Sequence, residues 1–171
     1  MTLEEHFTKI AEKEGATLHI TNDSVRIGGG ARCPDIHYQL YIIYKDRKIR
    51  VSNKIGVCEV GSVACRICDS KESLKFELTT RSHFRSLFLG KKNRCKLKAE
   101  NHNIDSFFKN SLSWKELRKM VNETAFMPMF LGENTEEGFS LITEYHMEFP
   151  NKEQVVEPLI TFYKEFIDVF G

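Results

Sequence analysis

Residues 36–57 read IHYQLYIIYKDRKIRVSNKIGV, and this stretch decides the fold. Ile36, Tyr38, Leu40, Ile42 and Tyr44 recur at every second position, the period of a strand with one buried face. Lys45-Asp46-Arg47-Lys48 is a polar turn, and Ile49, Val51 and Ile55 carry the alternation back. The pattern predicts a long antiparallel hairpin. His37, Tyr41 and Ile43 fall on its other face, so the first strand is expected to be covered on both sides over part of its length.

Downstream of the hairpin, Leu74, Phe76 and Leu78 alternate as another strand of the same sheet, and Cys95 and Leu97 mark one more after a connection through residues 81–93. Upstream, Thr2 and Glu5 have the spacing of a capping box ahead of Leu3, Phe7, Ile10 and Ala11, with Gly15 as the stop. Thr17–Thr21 and Val25–Ile27 read as two short strands about Asn22-Asp23-Ser24, side chains that favour a tight turn. Gly28-Gly29-Gly30 reads as a flexible connector. It is not a phosphate loop, because a strand follows it and neither a Gly-Lys-Ser/Thr run nor a complete GxGxxG is present.

The last third changes period. Ile104, Phe107 and Phe108 suggest a short helical turn. Ser113 with Glu116 forms a second capping-box pattern ahead of Trp114, Leu117, Met120 and Val121, a helix over residues 113–123. Phe126–Leu131 and Phe139–Phe149 read as antiparallel strands about a polar loop over 132–138, with Pro128 pushing the first toward a sheet edge. Residues 151–170 carry the apolar stripe Val155, Leu159, Phe162, Tyr163, Phe166 and Phe170. Pro158 within that stripe predicts a kink or a second helix start, since a mid-helix proline costs about 3 kcal/mol. Runs of strands with helices applied to them give the class α+β: an antiparallel β-sheet with a long central hairpin and N-terminal, middle and C-terminal helices packed on it. The expected organisation is one domain over 1–171, divisible into a strand-rich half (1–100) and a helix–hairpin–helix half (101–171).

Composition sets the class boundaries. With 41% hydrophobic and 29% charged residues, the 171-residue chain has the make-up of an ordinary globule. No apolar run reaches the roughly 18 residues of a membrane span, and the first residues lack a signal-peptide pattern, so a cytoplasmic location is expected. The net charge of +1 hides an asymmetry: residues 26–98 hold 17 Lys+Arg against 6 Asp+Glu, whereas 133–171 hold 2 against 9. The acidic C-terminal helix and hairpin are expected to fold beside the basic strands and compensate them locally.

Three patterns could carry chemistry. Cys65-Arg66-Ile67-Cys68, with Cys58 seven residues earlier, could supply thiolates to zinc, the fourth ligand coming from Cys33, Cys95 or His83. With five cysteines and no export signal, reduced thiols without special role are the simpler expectation. Arg81, Arg85, Lys91, Lys92, Arg94, Lys96 and Lys98, interleaved with Phe84, Leu87 and Phe88, could track a phosphate backbone and stack bases, although no nucleic-acid-binding motif accompanies them. Glu144, His146 and Glu148 project from one strand face, and a cleft bringing a third polar group to them would give that face a chemical role. No GxSxG or HExxH motif is present. The functional expectation is a non-enzymatic module that binds another protein, with a nucleic-acid or phosphate-binding module and a small zinc protein as alternatives.

Overall fold

The structure, a computed structural model, describes residues 2–26, 28–67, 74–82, 94–136 and 138–171. Helix α1 (Leu3–Glu14) is closed by the reciprocal Thr2/Glu5 capping box and ends on Gly15 in the left-handed conformation. Strands β1 (Thr17–Arg26), β2 (Arg32–Tyr44), β3 (Arg47–Ile55), β4 (Val60–Ile67), β5 (Phe76–Thr80) and β6 (Cys95–Ala99) follow. Then come α2 (His102–Asn110), α3 (Leu112–Glu123), β7 (Met129–Thr135), β8 (Gly138–His146) and α4 (Val156–Phe170). The strands form one antiparallel sheet in the order β1-β2-β3-β4-β8-β7-β5-β6, so the late hairpin β7–β8 is inserted between β4 and β5. The class is α+β with helices packed on an antiparallel sheet. No helix among the described residues is long and apolar enough to cross a membrane.

The central hairpin follows the alternation. Lys45 and Asp46 both take positive φ, as a two-residue primed turn requires, and this pairs Tyr44 with Arg47 and Ile36 with Ile55. Tyr38, Leu40 and Ile42 on β2 and Ile49 and Val51 on β3 are buried on one face. So are Val63, Cys65 and Ile67 on β4, Phe139, Leu141 and Tyr145 on β8, and Phe76 and Leu78 on β5.

All four helices among the described residues cover this same face. Phe7 of α1 meets Tyr38 at 5.3 Å between ring centres. From α4, Phe166 stacks on Phe139 at 5.7 Å and meets Phe76 at 6.0 Å, while Phe162 meets Phe130 at 5.0 Å. Phe107 of α2 and Trp114 of α3 complete the aromatic layer. Each fully buried Phe contributes about 1.5–3 kcal/mol. The Tyr163 hydroxyl donates to the Val63 carbonyl at 2.6 Å and lies 3.0 Å from Thr143 Oγ1, fixing α4 over the β4–β8 seam.

Several expectations are corrected. Residues 17–26 form one strand, because ten consecutive residues pair with β2 and this ladder overrides the turn preference of Asn22-Asp23-Ser24. Gly28–Gly30 forms a 3-10 turn closing that hairpin. Val60–Ile67, where no strand was expected, is a central strand. Residues 102–110 make a full helix. The α3 cap is Ser111, whose Oγ accepts from Trp114 N and donates to Glu165 of α4; Ser113 lies inside the helix. β7 runs on through the expected polar loop, and it is interior, since Pro128 sits just before it. Pro158 does occupy a second start: a 3-10 turn over Lys152–Val155 precedes α4, and the proline falls in its first turn, where no intrahelical N–H bond is needed.

Charge compensation is also more local than expected. Lys45 pairs with Asp168 at 2.8 Å, and hydrogen bonds from Lys45 and Tyr44 hold that carboxylate below its ordinary range. Lys54 instead pairs with Asp35 and Lys98 with Glu77, both within the strand-rich half. The two terminal helices exchange Lys13–Glu157 and Lys164–Glu14.

Two outcomes follow. A Cβ at Gly132 would lie 2.5 Å from Phe76 Cε1 and 2.6 Å from Phe139 Cζ, so Gly132→Ala costs about 1–3 kcal/mol in urea unfolding. Burial pushes the Tyr145 and Tyr163 phenols well above the ordinary range. The folded state therefore keeps protons that the unfolded chain releases near pH 10, so these groups leave stability unchanged below about pH 10 and lower it as pH rises further. Tyr145→Phe reduces that alkaline slope in unfolding titrations.

Candidate functional site

Because side chains alternate along a strand, a sheet whose described helices all lie on one face presents its remaining side chains on the other. The register arranges these in rows. His37, Lys54, Val60 and His146 lie side by side across β2, β3, β4 and β8. The adjoining row runs Gln39, Ser52, Ser62, Glu144 and Met129. Between these rows lies a cleft of about 540 Å³, within the size range of ligand pockets. Val60, Met127 and Met129 give it apolar walls, and His37, Ser52 and Lys54 stand at one end with Glu144 and His146 at the other.

The polar groups are held differently. His37 Nε2 and Ser52 Oγ are 2.7 Å apart, joined diagonally across the hairpin. Lys54 is tethered to Asp35 at 3.0 Å. Glu144 has no hydrogen-bond or ion-pair partner among the described residues. Gly61, opposite Tyr145, matters for the shape: a Cβ there would lie 2.3 Å from Tyr145 Cε2, and the ring passes over it to bond Asn53 Oδ1 at 2.8 Å.

Strand spacing decides what this arrangement can do. Neighbouring strands are about 4.8 Å apart, which puts Ser52 about 10 Å from Glu144 and His37 about 14 Å from His146. The two ends therefore cannot act on one atom together. The His37–Ser52 contact has the nucleophile–base distance, but Ser52 lies mid-strand in an interior β3 paired to both β2 and β4. Its backbone amides are engaged in ladders on both sides, so β3 offers no free pair of N–H groups beside Ser52 to hold an oxyanion. The geometry suits holding a ligand or a partner's side chain.

The expected sites fare unevenly. Glu144 and His146 do line the cleft; Glu148 lies beyond β8 and outside it. Cys65 is buried facing the core, opposite Ile49 and Leu141, whereas Cys58 is exposed before β4. Val60 and Cys65 alone are five strand steps apart, about 16 Å, so Cys58 and Cys65 are too far apart to share an ion that binds sulfur at about 2.3 Å. Burial raises the Cys95 thiol above its ordinary value. No cluster of three metal-ligating side chains occurs among the described residues. Cys68 and His83 lie outside those residues, as do Arg85, Lys91 and Lys92 with Phe84, Leu87 and Phe88.

Of the cationic set, Arg94 is the clear correction. It is 2% exposed, and its guanidinium donates to the Val121, Thr124 and Arg81 carbonyls. The first two are the open carbonyls at the end of α3, where a cation satisfies both orphan acceptors and helix dipole. Lys98 is paired with Glu77, Lys96 is exposed on the edge strand β6, and Arg81 is half-buried. Sequence reasoning missed His37 and Ser52 as a pair. The two-residue turn was the available signal, since it fixes which residues of the hairpin face one another.

No family model, curated protein or solved structure matches the chain.

Arg94→Ala is expected to cost about 3 kcal/mol in chemical denaturation, because it strips buried carbonyls of a charged donor. Lys96→Ala, two residues on, should stay within about 0.5 kcal/mol.

Proposed function

We propose that this chain is a non-enzymatic protein-binding module whose sheet face opposite the described helices receives a segment of a partner, with the cleft as the anchoring pocket. One observation carries the reading: the face is chemically mixed around an apolar-walled recess. Lys48, Arg50, Lys54, Arg66, Lys96 and Lys98 project from it against Asp23, Asp35, Glu77, Glu133 and Glu144, so its cations and carboxylates nearly balance. A protein surface offers both signs; a polyanion requires a net cationic track.

The cleft also describes the segment it takes. Met127 and Met129 adapt to an aliphatic or aromatic anchor, as methionines at binding surfaces do. Glu144 at one end suits a neighbouring Lys or Arg of the partner, and His37 with Ser52 at the other suits a hydrogen-bonding group. Nucleic-acid binding through residues 81–98 draws less support, because Arg94 is enclosed and Lys98 is tied to Glu77. A zinc site draws none from the Cys58–Cys65 separation.

The reading is tested by panning a displayed random-peptide library against the wild-type protein and against Met129→Lys, a change at an exposed position that leaves the fold intact. Enriched peptides should carry an apolar residue beside Lys or Arg and lose at least about tenfold in affinity on Met129→Lys, the cost of filling the pocket with a charge. Peptides that bind both proteins equally, or no enrichment at all, would contradict it.

A further inference from the structure

β1 is an edge strand of unusual openness. Thr17–Arg26 pairs with β2 without a bulge along all ten residues, and nothing among the described elements pairs with its other side. Every residue but Leu18 is exposed, including Ile20 and Val25 at 40% each. Soluble proteins guard such edges with charged side chains, lysine above all, or with proline, a bulge or a short strand. Over Thr17–Arg26 β1 has no lysine, proline or bulge and is ten residues long, and its only charged side chains are Asp23 and Arg26.

We propose that β1 is a self-association edge, pairing antiparallel with β1 of a second copy of this chain. The argument rests on register and charge. A two-fold axis perpendicular to the sheet keeps each face continuous, so only residues on the same face can stand opposite one another. Centring the axis on Thr21 sets Thr21 against Thr21, Ile20 against Asn22, Leu18 against Ser24 and Thr17 against Val25. It also sets His19 of each copy against Asp23 of the other, twice. The neighbouring choices are poorer. An axis on Asn22 leaves His19 facing Val25 and Asp23 facing Thr21; an axis on Asp23 puts two carboxylates face to face; an axis on Ile20 shortens the ladder. The Thr21 register alone joins the imidazole and carboxylate of β1 across the axis, and it gives nine residues of each copy a partner strand. The resulting dimer carries one continuous face, opposite the described helices, twice as wide as that of a single chain. This inference concerns the edge and not the cleft, so either can fail without the other.

The test is sedimentation equilibrium of the full chain over a wide concentration range, with circular dichroism to verify folding. The wild type should sediment as a dimer. Thr21→Lys, which opposes two ammonium groups at the axis, should be a folded monomer. His19→Asp, which opposes carboxylates twice, and Asp23→Lys, which removes both imidazole–carboxylate pairs, should each weaken the dimer about tenfold. Combined, they recreate the pair with its polarity reversed, and His19→Asp/Asp23→Lys should return to wild-type affinity. That rescue keeps the test decisive even if Thr21→Lys folds poorly. A wild type that stays monomeric, a dimer indifferent to Asp23→Lys, or a double variant no tighter than the singles would overturn the proposal.

Discussion

The structure depends on the seat of α4 across β4 and β8. Phe162 and Phe166 supply the apolar area, and Tyr163 supplies direction: its hydroxyl reaches a main-chain carbonyl of β4 and the side chain of Thr143 on β8. A buried phenol without those partners would cost more than its hydrophobic area returns. The helix is thereby bound to one position and one face. α2 and α3 pack around the same phenylalanines, and Glu165 reaches from α4 to the start of α3 through Ser111 and Ser113. The open face is the consequence: once the helices crowd one side, strand alternation delivers the polar half of every strand to the other.

Much of this was legible because it is local. The alternation from Ile36 to Tyr44, the Thr2/Glu5 box and the misfit of Pro158 each carry their physics within a few residues. The misses have non-local causes. Asn22-Asp23-Ser24 are turn formers, but ten ladder pairs with β2 outweigh their preference. β4 was obscured by Gly61, Ala64 and a CxxC spacing that drew attention to metal; its logic lies in Tyr145, which occupies the space a side chain at Gly61 would take. Ser111 is the cap of α3 because Glu165, 54 residues away, holds its hydroxyl.

The candidate site divides along the same line. Glu144 and His146 announce themselves by alternation on one strand. His37 and Ser52 become a pair only when the hairpin register is known. Arg94 could not be read at all, since the carbonyls it satisfies lie 27 and 30 residues away at the end of a helix. A cation in a basic stretch looks like a ligand contact until burial shows it serving the fold.

The central claim is that the face opposite the helices is free in the folded protein. Hydroxyl-radical footprinting read by mass spectrometry tests it most directly, because two methionines act as internal reporters. Met129 projects from β7 beside the cleft at 39% exposure, whereas Met147 just past β8 is fully enclosed. Rapid oxidation of Met129 with Met147 protected until the protein unfolds is the predicted result; Met129 protected to the same degree as Met147 would mean that the face is covered, and would contradict the account.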